Sequence, residues 1–174
     1  MTLTQLLLDL IDLRSFSNLW YWIALAVTWS TASHWVLGVP FDMVLRARRQ
    51  GGQAMTDLEA MVRININRML YITGEAGVIL LAILCCLLTT LFLLGFVYKV
   101  EFCQAIFLLA FPLSLVGFLS LRTARRIDGA GDAGEALCRR MNRHRILVQV
   151  IGMFAIVVTA MWGMLQNFSV SPLG

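Results

Sequence analysis

Four long apolar stretches without charge are the feature that most limits how this chain can fold. They contain no Asp, Glu, Lys or Arg, are 20 to 23 residues long, and occupy residues 19–38, 76–98, 102–121 and 146–168. A helix of about 20 residues crosses the apolar core of a bilayer, which is about 30 Å thick. Backbone N–H and C=O groups find no water in lipid, so a spanning segment must be helical. The sequence therefore predicts an all-α membrane protein with four transmembrane helices.

The composition excludes the main alternatives. Hydrophobic residues make up 59% of the 174 residues and charged residues only 14%, whereas soluble domains have about a quarter charged residues. An intrinsically disordered chain is excluded as well, because it would leave too much apolar surface in water. We interpret residues 1–174 as a single membrane domain.

The basic residues predict the orientation. Lys and Arg mark the loops that stay in the cytoplasm. Twelve of the 14 basic residues fall in residues 39–75 and 122–145, which predicts two cytoplasmic segments and places both termini in the periplasm. These twelve are Arg46, Arg48, Arg49, Arg63, Arg68, Arg122, Arg125, Arg126, Arg139, Arg140, Arg143 and Arg145. The second and third spans are joined only by Lys99-Val100-Glu101, which predicts a tight antiparallel hairpin.

The N-terminal residues predict a short amphipathic helix. Over residues 3–13, one helical face is polar, with Gln5, Asp9 and Asp12, and the other is apolar, with Leu3, Leu6, Leu7, Leu10, Ile11 and Leu13. Such a helix lies in the membrane interface. Its polar face is acidic and is repelled by anionic lipid, so a protein neighbour is a second candidate to cover its apolar face. The two aspartates also argue against a cleavable signal peptide.

Three patterns occur in the basic segments. Thr56 and Glu59 have the spacing of a capping box, which predicts a helix that starts there and continues into the second span. Residues 62–68 alternate with period two, as in a strand, but a lone strand beside a membrane has no partner, so we favour the helix. The glycines of residues 129–134 match G-x-G-x-x-G. A dinucleotide site needs a preceding strand, and here an apolar span precedes it, so we predict a turn between helices.

No residue set predicts catalysis, cofactor binding or a metal site, and we expect the protein not to be an enzyme. The spans lack the ionisable groups that pumps use. The four cysteines lie at different depths and are not expected to share a metal. Cys85 and Cys86 are expected at mid-membrane, Cys103 at the outer end of a span, and Cys138 in a cytoplasmic segment as the one candidate reactive thiol.

Histidine offers one cofactor alternative. His34 and His144 are both expected near the inner interface, which is the arrangement that a haem with two histidine ligands needs. The simpler interpretation is that His34 packs within the polar stripe of the first span, while His144, between two arginines, faces lipid headgroups. A haem-binding or redox subunit is therefore a second functional hypothesis.

Small and polar residues in the spans indicate helix association. Ala24, Thr28 and Ala32 recur every four residues and predict a close-contact face, with Trp29 outside it. Gly152, with Ala155 or Ile156 and then Ala160, offers a similar face in the last span. A third hypothesis, a small uncoupled channel or transporter, uses the stripe of Thr28, Ser30, Thr31 and Ser33 as its lining.

The arginine clusters have two interpretations. They serve as topology signals that contact anionic lipid headgroups, or they dock an acidic protein partner through planar, bidentate ion pairs that lysine does not form. Nucleic acid is excluded as a partner because no binding fold or stacking aromatic residues accompany the charge.

Several segments together resemble a known family. These are Arg14–Trp20, Trp29–Asp42, Arg48–Gly52, Ile64–Leu70, Thr123–Arg126 and Thr159–Asn167. The chain resembles, over nearly its whole length and best over residues 14–70, a family of small inner-membrane proteins of Rhodobacter-like alphaproteobacteria. Members are often labelled a component of the SUF iron–sulphur assembly complex. The chain has no ATPase loop and no clustered cysteines, so the resemblance implies a membrane tether and no site residues.

The first functional hypothesis is a non-catalytic inner-membrane subunit without a cofactor. It would scaffold, anchor or assemble a larger complex, which is respiratory, photosynthetic or SUF-linked, or it would form a homo-oligomer. The charge-free spans, the tight hairpin, the small-residue faces and the acidic N-terminal helix all favour association over chemistry.

Overall fold

The fold consists almost entirely of helices. The computed structural model describes residue 16 and residues 19–170, with side chains described as far as residue 166. Its elements in chain order are α1 (Leu19–His34), β1 (Trp35–Val36), β2 (Val39–Pro40), α2 (Phe41–Gln50), α3 (Gly52–Phe92), a π-helical turn (Leu93–Val97), α4 (Glu101–Ala130) and α5 (Gly134–Val170). The all-α class is confirmed. The interfacial helix predicted over residues 3–13 lies outside the described residues.

Three of the helices are long enough and apolar enough to cross a membrane. They lie within Gly52–Val97, Glu101–Ala130 and Gly134–Gln166 and correspond to the predicted second, third and fourth spans. The 41 residues of α3 measure about 60 Å, twice the apolar thickness of a bilayer. The long helices therefore extend past their apolar parts. We call the end where these extensions gather, with most of the arginines, the basic end, and the opposite end, at the α3–α4 connection, the hairpin end.

The first apolar stretch, predicted as a helix over residues 19–38, forms a shorter helix. α1 ends at His34 after 16 residues, and the following strands fold back as an antiparallel β-hairpin. Leu37 and Gly38 have φ angles of 53° and 75°, and left-handed values of this kind form the two-residue turn of such a hairpin. The prediction was wrong over 35–38 because a short apolar run indicates burial and does not distinguish a helix from a buried hairpin.

α3 and α4 form the predicted tight hairpin. The last turn of α3 widens into the π-helical turn, and the backbone N–H of Val100 donates to the carbonyl of Leu94 at 3.1 Å. Gly95 is buried against α4, where a Cβ atom would lie 2.9 Å from the backbone nitrogen of Gln104. The close approach of the two helices therefore requires glycine at position 95.

The basic end has its own hydrophobic core. α3 contributes Leu58, Val62 and Ile66, which are four residues apart and share one helical face. Every other element that reaches this end also contributes: the further buried members are Val36, Leu37, Val39, Phe41, Val44, Ala47, Ala124, Ile127, Leu137, Cys138 and Met141. The two basic segments therefore form one packed unit. They are not separate loops.

The apolar parts of the helices pack much less. A small core lies between α1, α4 and α5, with Leu25, Trp29 and Ala155 buried in it. The indole of Trp29 lies so close to Gly152 that a Cβ atom there would be 2.7 Å from the ring. In contrast, residues 78–87 of α3 are exposed at every position. This part of α3 therefore has no helix packed against it in the described chain.

The capping box predicted at Thr56 and Glu59 was wrong. α3 already begins at Gly52, and the Thr56 hydroxyl donates to the Gly52 carbonyl within the helix, at 3.3 Å. Glu59 Oε1 instead accepts the backbone N–H of Gly134 at 2.6 Å, across 75 positions of the chain. The spacing rule finds only partners on the same helix, so it missed this one.

The remaining two patterns behave as predicted. Residues 62–68 are helical, although their alternation matches a strand, because they belong to α3 and bury one helical face. Within 129–134, α4 ends at Ala130 and Gly131 takes a left-handed conformation with φ 62°. The glycine-rich stretch is thus a turn between two helices, with Gly131 in the position where helices commonly end on glycine.

Candidate functional site

The core of the basic end displays arginines on its outside. α2 shows how: it buries Phe41, Val44 and Ala47, which are three residues apart, while three arginines of the same short helix stay exposed. Burial of one apolar face holds α2 in place and fixes which way the arginines point. These three are Arg46, Arg48 and Arg49. The positive charge therefore lies on a helix that is packed against a hydrophobic core.

Polar contacts between distant segments add to this packing. Glu59 caps the start of α5, where the partial positive charge of the helix end favours a carboxylate. Asn65 Nδ2 donates to the Gly38 carbonyl at 3.2 Å and so ties the β-hairpin to α3. Asp132 in the α4–α5 turn pairs with Arg140 one and a half turns into α5. These contacts fix the hairpin and the turn relative to the long helices.

A polar cleft of about 240 Å³ lies between α3 and the α4–α5 turn. Glu59 and Asp132 line it but are already engaged with Gly134 and Arg140. Arg63, Asn67 and Asp128 also line it, so both charge signs face the same space. Its size suits a few waters or a small polar molecule. Among the residues that the structure describes, no three His, Cys, Asp or Glu side chains come together as a metal ion would require.

Most arginines of the basic end are not engaged with acidic groups. Arg46 pairs with Asp42 at 3.5 Å on the exposed face of α2, and such an exposed pair contributes little stability. Arg145 lies over the ring of Phe41, 3.9 Å from its centroid. The other arginines form no ion pair with any described residue, apart from Arg140. Their guanidinium groups are available for phosphate or carboxylate.

The two histidines have different environments. His144 is 3% exposed, with Nε2 3.1 Å from Ser120 Oγ and Nδ1 3.3 Å from Thr123 Oγ1. Because Ser120 donates its one proton to the Val116 carbonyl, it accepts from Nε2–H, and Nδ1 accepts from Thr123. Each ring nitrogen of His144 therefore has a hydroxyl partner on α4.

The expectation that His144 faces headgroups was therefore wrong. Its spacing from Met141 and Val148, three and four residues away, places it on the buried face of α5. That spacing was the sequence signal that could have indicated burial. His34 is exposed at the end of α1, where its ring contacts the ring of Trp35 at 6.1 Å between centroids.

The cysteines are all unpaired. Cys85 and Cys86 are exposed on the apolar part of α3, and Cys103 is half-buried near the start of α4. Cys138 was predicted as the candidate reactive thiol, but it is 1% exposed and belongs to the core of the basic end. Burial raises the pKa of its thiol, which opposes formation of the reactive thiolate.

The small-residue face predicted for α1 is not its main contact. α1 packs through Leu25 and Trp29, whereas Ala24 is exposed, so the placement of Trp29 outside the contact was wrong. The large ring fills the space that Gly152 leaves on α5, and the predicted role of Gly152 in close helix contact is confirmed. The proposed channel lining is divided: Ser30 and Thr31 are exposed on the outer surface, and Thr28 and Ser33 are half-buried.

Gln104 at the hairpin end was missed in the sequence. It is 3% exposed, and its Nε2 donates to the Gly95 carbonyl at 2.8 Å. Its Oε1 accepts from Trp162 Nε1 and from Gln166 Nε2, each at 3.0 Å. One side chain thus links three helices. A single amide within the apolar stretch 102–121 is the signal that could have found it, since such groups seek partners in a membrane.

The comparisons with known proteins add no relative. No protein-family model, no curated protein and no solved structure matches the chain. The resemblance to the alphaproteobacterial inner-membrane family stays a prediction.

Proposed function

We propose that this protein is a non-catalytic subunit of a larger complex in the bacterial inner membrane, and that an acidic protein partner docks on the arginines of the basic end. The observation that carries the proposal is the packed core beneath these arginines. A topology signal needs only basic residues in a loop. A core that includes Leu58, Val62 and Met141, each at most 2% exposed, holds the arginines in fixed positions, which is what recognition of one partner requires.

The proposed topology has four spans with both termini in the periplasm. α1 is shorter than the other spans, at 16 residues or about 24 Å. Trp29, in its second half, packs on Gly152 in the apolar part of α5, which supports placing the two helices at the same depth. The backbone N–H of Phe16, just before α1, donates to Glu101 at the hairpin end at 2.9 Å. This contact supports a start of α1 on the side opposite the basic end.

The arginines that best suit a partner are those on α2 and on the adjacent start of α5. Arg48, Arg49, Arg139 and Arg143 are exposed and form no ion pair with a described residue. Arg48 lies close enough to Cys138 of α5 to act on its thiol electrostatically. α2 and α5 are therefore neighbours at the basic end, and their exposed arginines together are the proposed docking surface, because arginine forks bind carboxylates in pairs.

The test is affinity isolation of the tagged full-length protein from its native membranes in a mild detergent, with mass spectrometry of the retained polypeptides. We expect a stoichiometric partner, which would also show whether the complex is respiratory, photosynthetic or SUF-linked. The variant Arg48→Gln/Arg49→Gln should lose that partner, and the control Arg122→Gln/Arg125→Gln, with the same loss of charge elsewhere at the basic end, should keep it. A monomer that retains no polypeptide would contradict the proposal.

A further inference from the structure

One face of α4 changes from apolar to basic where its apolar stretch ends. Phe118, Leu121, Arg122, Arg125 and Arg126 are three or four residues apart and line one concavity of about 340 Å³. We call these five residues the boundary stripe. Because residues at this spacing share a helical face, the ring of Phe118 and the three guanidinium groups form one continuous surface.

The boundary stripe faces away from the protein. The opposite face of α4 carries Ala124 and Ile127, which are 0% and 5% exposed in the core of the basic end. On the stripe, the three arginines are exposed and Phe118 is 66% exposed. Packing of α4 onto the core therefore fixes the direction of the stripe, and no described element covers it.

The charge of the stripe is uncompensated. Its three guanidinium groups form no hydrogen bond or ion pair with a residue that the structure describes. The nearest acid along the chain, Asp128, lines the cleft shared with Glu59 instead. Three arginines without a carboxylate among them attract an anion, and their planar forks match a phosphate.

The depth of the stripe determines what kind of anion covers it. Leu121 is the last residue of the charge-free stretch 102–121, and Arg122 is the first charge after it. The apolar half of the stripe thus reaches into the hydrocarbon region, and the basic half lies at the level of the headgroups. An acidic soluble protein would cover only the arginines. A ligand with an anionic head and an apolar tail covers both halves.

We infer that the boundary stripe is a binding site for one acidic phospholipid, with its phosphate on Arg122, Arg125 and Arg126 and an acyl chain along Phe118 and Leu121. The site is separate from the α2–α5 surface assigned above to a protein partner. It does not depend on that partner, because every group it uses belongs to α4.

The experiment uses the full-length protein in nanodiscs of mixed phosphatidylglycerol and phosphatidylcholine. Native mass spectrometry of the released protein measures how many of each lipid stay bound. We expect wild type to retain phosphatidylglycerol above its share in the bilayer. Arg122→Gln/Arg125→Gln/Arg126→Gln should lower this ratio to that of the bulk bilayer. The control Arg46→Gln/Arg48→Gln/Arg49→Gln removes the same charge from α2 and should keep the preference.

Two further experiments distinguish a bound phospholipid from free inorganic phosphate. Inorganic phosphate added in excess should not displace the lipid, and Phe118→Ser should lower lipid retention although all three arginines remain. Displacement by inorganic phosphate, or full retention in Phe118→Ser, would overturn the acyl-chain contact. Equal loss in both triple variants would show general charge attraction only, and would overturn the site.

A protein ligand is the remaining outcome. If wild type shows no preference for phosphatidylglycerol and an acidic polypeptide is lost only from the Arg122/Arg125/Arg126 variant, the stripe binds protein and the lipid site is wrong. Circular dichroism and size exclusion of each variant exclude misfolding as the cause, since all substituted arginines are exposed. The affinity isolation with Arg48→Gln/Arg49→Gln tests the protein partner alone, so a negative result for one proposal leaves the other unaffected.

Discussion

The two halves of α3 differ in how far their apolar side chains are buried, although they form one continuous helix. In the half at the basic end, Leu58, Val62 and Ile66 are at most 3% exposed. In the apolar half, Leu81 is 61% exposed and none of the 18 residues in the most apolar window is buried. Water drives apolar side chains together, whereas lipid is as apolar as leucine and provides no such force. The same residue type is therefore structural in one half and solvated by lipid in the other.

The largest difference should come from matched leucine truncations in the two halves. Leu58→Ala leaves a cavity in the basic-end core, and we expect it to lower the free energy of unfolding by about 2 to 5 kcal/mol. Leu81→Ala, on the same helix, should have almost no effect. Thermal unfolding in mild detergent, followed by circular dichroism and tryptophan fluorescence, measures both. Equal losses of stability in the two variants would contradict this difference between the two halves of α3.

A second pair of variants tests the one close contact inside the apolar region. In Gly152→Ala, the new methyl group would lie 2.7 Å from the Trp29 ring, and overpacking of this kind costs about 1 to 3 kcal/mol. Gly117→Ala on α4 meets no atom within 4 Å and should be neutral or slightly stabilising. A shift of tryptophan fluorescence in Gly152→Ala alone would place the damage at the α1–α5 contact. Loss of stability in Gly117→Ala instead would contradict this packing.

A polar contact at the hairpin end should matter less. Gln104→Leu removes the acceptor for Trp162 and the donor to the Gly95 carbonyl, and a hydrogen bond between membrane helices contributes about 0.6 kcal/mol on average and up to about 1.7. Because Gln104→Leu loses three such bonds, we expect a destabilisation of about 1 to 2 kcal/mol in detergent unfolding. Cys103→Ala, at the neighbouring half-buried position, serves as the control. A change above that of Leu58→Ala would mean that the apolar region depends on polar contacts more than on packing.

The smallest effect concerns the cap of α5. Glu59→Gln keeps an acceptor for the Gly134 N–H but removes the charge at the helix end, and we expect a loss of about 0.5 to 1 kcal/mol that shrinks in high salt. Asp57→Asn removes the same charge from an exposed pair with Gln53 on one helix and should change stability by less. The salt dependence of the melting temperature distinguishes the two. Identical salt dependence would mean that Glu59 acts only through the overall charge.

The sequence predicts features that depend on one segment at a time. Charge-free length indicates α3, α4 and α5 as spans, and the short Lys99–Glu101 connection indicates their hairpin. Contacts that join segments far apart in the sequence could not be predicted. Nothing local pairs Glu59 with Gly134 or Asn65 with Gly38, and the β-hairpin after His34 uses apolar residues that also suit a helix. Of the proposed docking surfaces, the arginines were visible in the sequence, but the core that orients them was not.

The uncovered part of α3 connects two anchored ends and so sets their relative rotation. Its basic end is held by the face of Leu58, Val62 and Ile66, and its hairpin end by Gly95 against α4. Each residue of an α-helix turns the chain by about 100°. The number of residues between the two anchors therefore fixes the angle by which one anchored face is rotated about the helix axis relative to the other. Adding one residue within 78–87 would disturb no packed side chain, yet it would turn one anchor away from its partner.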